Sequence, residues 1–249
     1  MPLHSERDGA GPRIVLLHGF GQTGRCWGPL APVLARDHEV VRLDAPGHGA
    51  SGGEAVDLPA TAGLIAAAGG PAVYLGYSMG GRMALQLAVD RPEVVRALVV
   101  LSATPGIEDD GERAARHAAD VALADRIRRE GVPAFVDHWL GLPMFAGLPP
   151  EARFEAERRR NTSDGLATSL ERAGTGAQAP LWDRLGSIAV PTLVVAGEDD
   201  DRYTAIALRT AAAIGRHATV ALVPGAGHSA HLEQPHRFVG LMRGWLAAL

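Results

Sequence analysis

The feature that most constrains this 249-residue sequence is a rhythm of short apolar runs. RIVLLH (13–18), EVVRLD (39–44), AVYLGY (72–77), ALVVLS (97–102), TLVVAG (192–197) and TVALVP (219–224) have the length and β-branched content of buried strands. GRMALQLAVD (81–90), YTAIALRTAAAIG (203–215) and PHRFVGLMRGWLAAL (235–249) have helical spacing. Buried strands separated by helices predict an α/β fold, a mostly parallel sheet with helices on both faces. A hydrophobic content of 47% supplies the core such a sheet requires. The rhythm fails between residues 106 and 185, where GERAARHAADVALADRIRREG and PEARFEAERRRN are rich in Arg, Glu and Ala. This stretch predicts a helical cap (106–185) inserted into a core made of residues 1–105 and 186–249. An insertion at the carboxyl edge of a parallel sheet lies over the place where such folds bind ligands.

Several classes of function are excluded early. No apolar run approaches the roughly 20 residues of a membrane span, and MPLHSERDGAGP lacks the apolar core of a signal peptide. A soluble, cytoplasmic chain without a membrane span is expected. The single cysteine, Cys26, leaves no intrachain disulfide and no Cys-cluster metal site. A formal charge of −4 argues against general nucleic-acid binding. Every Lys+Arg position is an arginine, so chemistry through a lysine Schiff base is ruled out. The oligomeric state has no signature in the sequence.

The chemistry concentrates in GYSMGGR (76–82). Gly76, Ser78 and Gly80 form a G-x-S-x-G pattern between an expected strand and an expected helix, the context of a nucleophile elbow. A serine hydroxyl is a poor nucleophile or base unless a histidine takes its proton. On such elbows the acid and then the histidine follow in chain order. His228, in GAGHSAH after the last strand, fits that order better than His231, one turn into the following helix, or the loop residue His236. GEDDD offers Glu198, Asp199, Asp200 and Asp201 as the acid. The glycine-rich turn LLHGFGQTG (16–24) places the Phe20 N–H where, with the Met79 N–H, it can form an oxyanion hole. His18 reads as a structural histidine, and DAPGHGAS (44–51) as a turn that gives shape rather than chemistry. Arg82 is anomalous. A cation in the first turn of a helix opposes the dipole. It stands one turn beyond Ser78, on the same face. Either a neighbouring Glu or Asp pairs with it, or a bound carboxylate does.

The ordered set HG-F, D-x-x-GHG-x-S, G-x-S-x-G, G-E-x-D and GH spans nearly the whole chain and resembles the α/β-hydrolase superfamily. Within it, GYSMGGRMAL, ERAARHAADVALADRIRREGVPAFVDHWLGLPMF, LATSLERAGTGAQAPLW and GEDDDRY look like the family of 2-succinyl-6-hydroxy-2,4-cyclohexadiene-1-carboxylate (SHCHC) synthases of menaquinone biosynthesis. The sequence departs from that pattern at Ala179, where the family commonly has proline; here Pro180 follows. The resemblance implies an α/β-hydrolase fold and a small-molecule polycarboxylate substrate. It also implies elimination of pyruvate without consumption of water, and no metal or organic cofactor. It assigns the acid to Asp200 and makes Ser78, backed by His228, the general base. It places Tyr77, Arg82, Arg116, Trp139 and Arg158 around the substrate. Arg159 and Arg160 compete with Arg158, and Trp139 also suits the core of the cap. Arg126, Arg128 and Arg129 read as a solvated face.

Two other readings share these residues: an esterase or carbon–carbon bond hydrolase, and a ligand-binding protein that has lost turnover. A neutral ester offers the cap arginines no partner, so arginine substitutions separate lyase from hydrolase. A pure binder has no need of the three triad residue types.

Overall fold

A computed structural model describes residues 2–53 and 55–249. Its centre is a seven-stranded sheet in the order β1-β3-β2-β4-β5-β6-β7. The strands are β1 (Ser5–Asp8), β2 (Arg13–Leu17), β3 (Glu39–Leu43), β4 (Ala72–Tyr77), β5 (Val95–Leu101), β6 (Thr192–Gly197) and β7 (Ala218–Val223). Six of them match the apolar runs to within two residues. The seventh, β1, carries the sequence SERD and pairs antiparallel with β3 at the sheet edge, whereas all other pairings are parallel. An edge strand needs no buried face, so it leaves no hydrophobic pattern to read.

Around the sheet run α1 (Leu30–Leu34), α2 (Leu58–Gly69), α3 (Met79–Asp90), α4 (Asp110–Leu140), α5 (Glu155–Arg158), α6 (Ser163–Ala173), α7 (Asp201–Ile214), α8 (Ala230–Glu233) and α9 (Pro235–Leu246). Alternation along each strand sends side chains to opposite faces. Ile14 and Leu16 join Leu30, Leu34, Phe238 and Met242 on one side; Val15 and Leu17 join Ile65, Met83, Leu87 and Ile214 on the other. Helix α2 was not anticipated: DLPATAGLIAAAG lacks a clear apolar stripe. Its start is fixed by Asp57, whose side chain accepts from the Ala60 N–H.

Between β5 and β6 no strand forms among the described residues. Helix α4 is broken at Gly131 (φ 83), two residues before Pro133, and its two halves share a small apolar cluster with α6 built on Ile127, Phe135, Val136 and Leu166. The chain leaves β2 for β3 on one side and continues to β4 on the other. This strand-order reversal opens a crevice at the carboxyl ends of β2 and β4.

Two glycine-rich turns at that edge are laced together by Asp44. Its carboxylate accepts from Gly24 N–H (2.7 Å) and Ala50 N–H (2.8 Å) and meets His4 Nδ1 (3.1 Å). Burial alone would raise the Asp44 carboxyl; the N–H donors and nearby histidines outweigh it and hold the group below the usual carboxylate range. A depressed folded pKa contributes stability above the unfolded value, and that contribution is lost as pH falls through the folded value. Asp44→Asn turns an N–H₂ against one of the two donors. It is expected to cost about 1–3 kcal/mol at pH 7. Urea unfolding should show the gap to wild type narrowing as pH drops below about 4.

Candidate active site

Ser78 connects β4 to α3 with φ 51 and ψ −108, a conformation that L-residues avoid. Such backbone costs about 1–3 kcal/mol and persists where its surroundings enforce it. Here the Ser78 N–H donates to Leu101 O (2.8 Å), and α3 starts at once, with Arg82 N–H donating to Ser78 O (3.1 Å). Gly80 permits the turn, because a Cβ there would lie 1.9 Å from Leu17 O.

His228 Nε2 lies 3.2 Å from Ser78 Oγ, and His228 Nδ1 lies 3.1 Å from Asp200 Oδ2. The chain of bonds is Ser78 O–H to Nε2 and Nδ1–H to the carboxylate. Asp200 also caps α7, accepting from Tyr203 N–H (3.1 Å). Burial pushes its carboxyl up, but the bonds from His228 and Tyr203 prevail and keep it below the ordinary range. Asp199 instead spends its N–H on Ala226 O, 2.9 Å away. His228 is held from two directions. Tyr203 packs on its ring at 4.5 Å between centroids. Glu233 accepts from the N–H groups on either side of it, Gly227 (2.7 Å) and Ser229 (2.8 Å). Tyr77 is buried, donates to or accepts from Ser229 Oγ (2.7 Å) and stacks against His228 and His231. His231 is a core residue whose ring burial drives down to about 3, so it stays neutral. His18 links the two glycine-rich turns, Nε2 accepting from Ala45 N–H (3.0 Å) and Nδ1 donating to Gly19 O (2.8 Å).

Ser78 and His228 open onto a cavity of about 440 Å³. Phe20 and Met79 line it, and neither backbone N–H finds a protein acceptor among the described residues. Arg82 and Arg116 line it too. Arg82 is only 7% exposed and, among the described residues, has no acidic side chain in an ion pair with it. Its Nη1 donates to Ala173 O (2.7 Å) and Gln178 Oε1 (3.2 Å). Ala173 is the last residue of α6, so a cation misplaced at one helix N-terminus is placed favourably at another helix C-terminus. Burial, reinforced by Arg116, lowers the guanidinium to about 10 against the opposing influence of Tyr203 and Asp120, so it remains charged at neutral pH. Arg116 Nε donates to the buried Asp120 (2.8 Å).

Of the three consecutive arginines, Arg158 turns inward and is 1% exposed. Arg159 pairs with Asp137 (2.7 Å) and Arg160 with Glu157 (3.4 Å) on the outside. Arg158 Nε donates to Arg153 O (2.7 Å), while Nη1 and Nη2 are buried without a hydrogen-bond partner among the described residues. Asn161 steers this segment, donating to Gly21 O (3.2 Å) and Arg158 O (2.8 Å) and accepting from Gly49 N–H (2.8 Å). Trp139 is half-buried and stacks edge-on against Phe20 at 5.4 Å. It packs against the apolar cluster shared by α4 and α6 and also lines the cavity. Arg126 and Arg128 form ion pairs with Glu130 and Glu171.

Tyr203, Glu233, Gln178 and Gln22 went unassigned in the sequence. Tyr203 and Glu233 follow an assigned triad residue by three and five positions, which was the available signal; the glutamines had none.

A strained serine elbow after the fourth strand, with its acid after β6 and its histidine after β7, defines a class. Residues 14–241 match the alpha/beta hydrolase family, and the chain belongs to it. Within that family it is similar to the 2-succinyl-6-hydroxy-2,4-cyclohexadiene-1-carboxylate synthase of Salmonella heidelberg (strain SL476), with 33% identity over 90% of this chain and 89% of the relative. A Bacillus subtilis (strain 168) protein whose name assigns the same activity provisionally is 35% identical over 98% of this chain and 93% of its own. Among solved structures, MenH from S. aureus superposes with a TM-score of 0.91 at 29% identity, covering 98% of both chains. A thermophilic esterase from Thermogutta terrifontis superposes at 0.87 with 23% identity, covering 99% and 93%, a likeness of fold alone. The resemblance drawn from the motifs holds, the fold is that of the α/β-hydrolases, and the chain is an enzyme. No helix among the described residues is long and apolar enough to cross a membrane.

Proposed function

We propose that this enzyme is a carbon–oxygen lyase of menaquinone biosynthesis that eliminates pyruvate from an enolpyruvyl-bearing cyclohexene polycarboxylate to give SHCHC. The observation that carries this reading is the Ser78–His228–Asp200 chain opening onto a cavity shared with Arg82, a buried guanidinium with no carboxylate partner among the described residues. Such a cation is costly unless a ligand supplies the charge. Arginine binds carboxylates with a two-pronged fork. The similar synthases are named for the product SHCHC.

In the reaction, Ser78 Oγ takes a proton from the ring carbon as His228 takes the hydroxyl proton, and Asp200 stabilises the imidazolium. The C–H electron pair enters the ring and the carbon–oxygen bond to the enolpyruvyl group breaks. The departing enol accepts a proton and becomes pyruvate. No water is consumed. The free N–H groups of Phe20 and Met79 stabilise the enolate-like charge. Arg82, Arg116 and Arg158 hold the substrate carboxylates, with Tyr77 and Trp139 shaping the walls. Residues 106–185 act as the cap over a core of residues 1–105 and 186–249. None of these steps calls on a metal or cofactor, and the substrate is a small polycarboxylate.

The test supplies the enolpyruvyl-bearing substrate and follows pyruvate with a coupled dehydrogenase, in wild type and Ser78→Ala. Serine-dependent pyruvate supports the lyase. Its absence, with ester or carbon–carbon hydrolysis instead, replaces it by the hydrolase reading, which leaves the unpaired Arg82 and Arg158 unexplained.

The pH dependence follows from the same pair. Asp200 is held below the ordinary carboxylate range, so it stays ionised beside the histidine. A general base must be neutral, so kcat/KM should climb with pH and then level off. A flat or falling profile would remove His228 from the role.

A further inference from the structure

The turn GTGAQ (174–178), which follows α6, is bonded towards both arginines of the cavity wall. On one side Ala173 O and Gln178 Oε1 accept from Arg82 Nη1. Gln178 Nε2 donates to Pro105 O (2.9 Å), which keeps Oε1 turned to the guanidinium. On the other side Gly176 N–H donates to Asp120 Oδ2 (3.1 Å), and Asp120 Oδ1 accepts from Arg116 Nε (2.8 Å). Only glycine permits so close an approach. A Cβ on Gly174 would lie 2.7 Å from Asp120 Oδ2, and one on Gly176 would lie 2.2 Å from the His117 backbone nitrogen.

Asp120 is 3% exposed and lines the cavity. A buried carboxylate is costly unless it is paired, and in the wall of a site for anions it also repels the ligand. Nor is it placed to stabilise the helix, because Arg116 precedes it by four residues, the less favourable order for such a pair. Its bond to Nε has a geometric consequence. One edge of the Arg116 guanidinium is occupied, and the Nη1–Nη2 edge is left as the two-pronged face for a carboxylate. Neither Nη atom forms a hydrogen bond among the described residues.

We propose that Asp120 is a positioning residue that fixes Arg116 relative to Arg82 through the 174–178 turn, so that the cavity grips two carboxylates of one ligand at a set spacing. The inference rests on the lyase reading and adds to it a means of telling a dicarboxylate from a monocarboxylate. Asp120 touches no reacting atom and acts through Arg116. Charge and position then predict opposite results for Asp120→Asn. That variant makes the cavity more positive, which by charge alone tightens anion binding; loss of the fixed spacing weakens it.

The test is calorimetric titration of succinate and of propionate into wild type, Asp120→Asn, Arg116→Met and the double variant, with melting temperatures and pyruvate release from the enolpyruvyl-bearing substrate. Wild type should prefer succinate. Succinate affinity should fall at least about tenfold in each single variant, and propionate affinity by less than about threefold. Adding Asp120→Asn to Arg116→Met should cost less than about a further twofold, since the first change acts through the second residue. In turnover the loss should appear in KM far more than in kcat. The double variant removes both charges and should melt above either single one, which separates lost binding from misfolding. No preference for succinate in wild type, tighter succinate in Asp120→Asn, or an equal loss with and without Arg116 each overturns the positioning role, and continued pyruvate release then spares the lyase. The expected pattern in an enzyme that releases no pyruvate keeps the dicarboxylate grip and removes the lyase reading.

Discussion

Ser78→Ala is expected to cut kcat for pyruvate release by about 10²–10⁴-fold, the usual contribution of a positioned general base. That factor corresponds to about 3–5.5 kcal/mol of barrier. KM should move little, because the cations that would hold the substrate lie on α3, α4 and α5 and keep their positions. The measurement is single-turnover pyruvate formation, which separates chemistry from product release. Glycine at the same position adds a second observable. Ser78 sits at φ 51, where glycine is at ease, so Ser78→Gly should be as inactive as alanine yet unfold at a higher temperature. A drop of less than about tenfold in both variants would place the base elsewhere.

Arg158→Met is expected to move activity and stability in opposite directions. The guanidinium is 1% exposed, its two Nη groups have no hydrogen-bond partner among the described residues, and burial lowers its pKa. Without substrate it is an uncompensated cation, so a methionine of similar reach should raise the stability of the free enzyme by about 1–3 kcal/mol. With substrate the same change removes a desolvated charge pair worth about 2–5 kcal/mol, or about 30- to 5,000-fold in kcat/KM. Lysine should not rescue, since it lacks the planar fork. Arg159→Ala, which breaks an exposed pair with Asp137, is the control and should change either quantity by less than about 1 kcal/mol. Denaturant unfolding with and without substrate analogue reads both effects. A variant that loses stability along with activity would make Arg158 a structural strut.

Most of the parallel sheet was legible because a strand buried on both faces leaves a run of apolar residues. Ser78, Asp200 and His228 could be picked out as candidates because they are separated by such strands in a fixed order. What escaped had no periodic or compositional trace. SERD became a strand only because β3 offered an edge. Gln22 reads as an ordinary turn residue until its Oε1 is seen to accept from Gly19 N–H (3.0 Å), beside the Phe20 N–H. Arg158, Arg159 and Arg160 are indistinguishable as letters; a short helix and the bonds of Asn161 decide which one turns inward. Arg82 posed the sharpest question in the sequence, and half its answer lies ninety-one residues away, at the carbonyl of Ala173.

That long-range bond limits how the protein can be taken apart. Ala173 and Gln178 both belong to the helical stretch between β5 and β6, whereas Arg82 belongs to α3. A chimaera that took this segment from a distant homologue would discard both acceptors at once and strand a guanidinium beneath the graft. Modular exchange should therefore succeed only with donors that carry equivalent groups at the seam, and laboratory recombination across residues 106 and 185 should recover few soluble crosses without them.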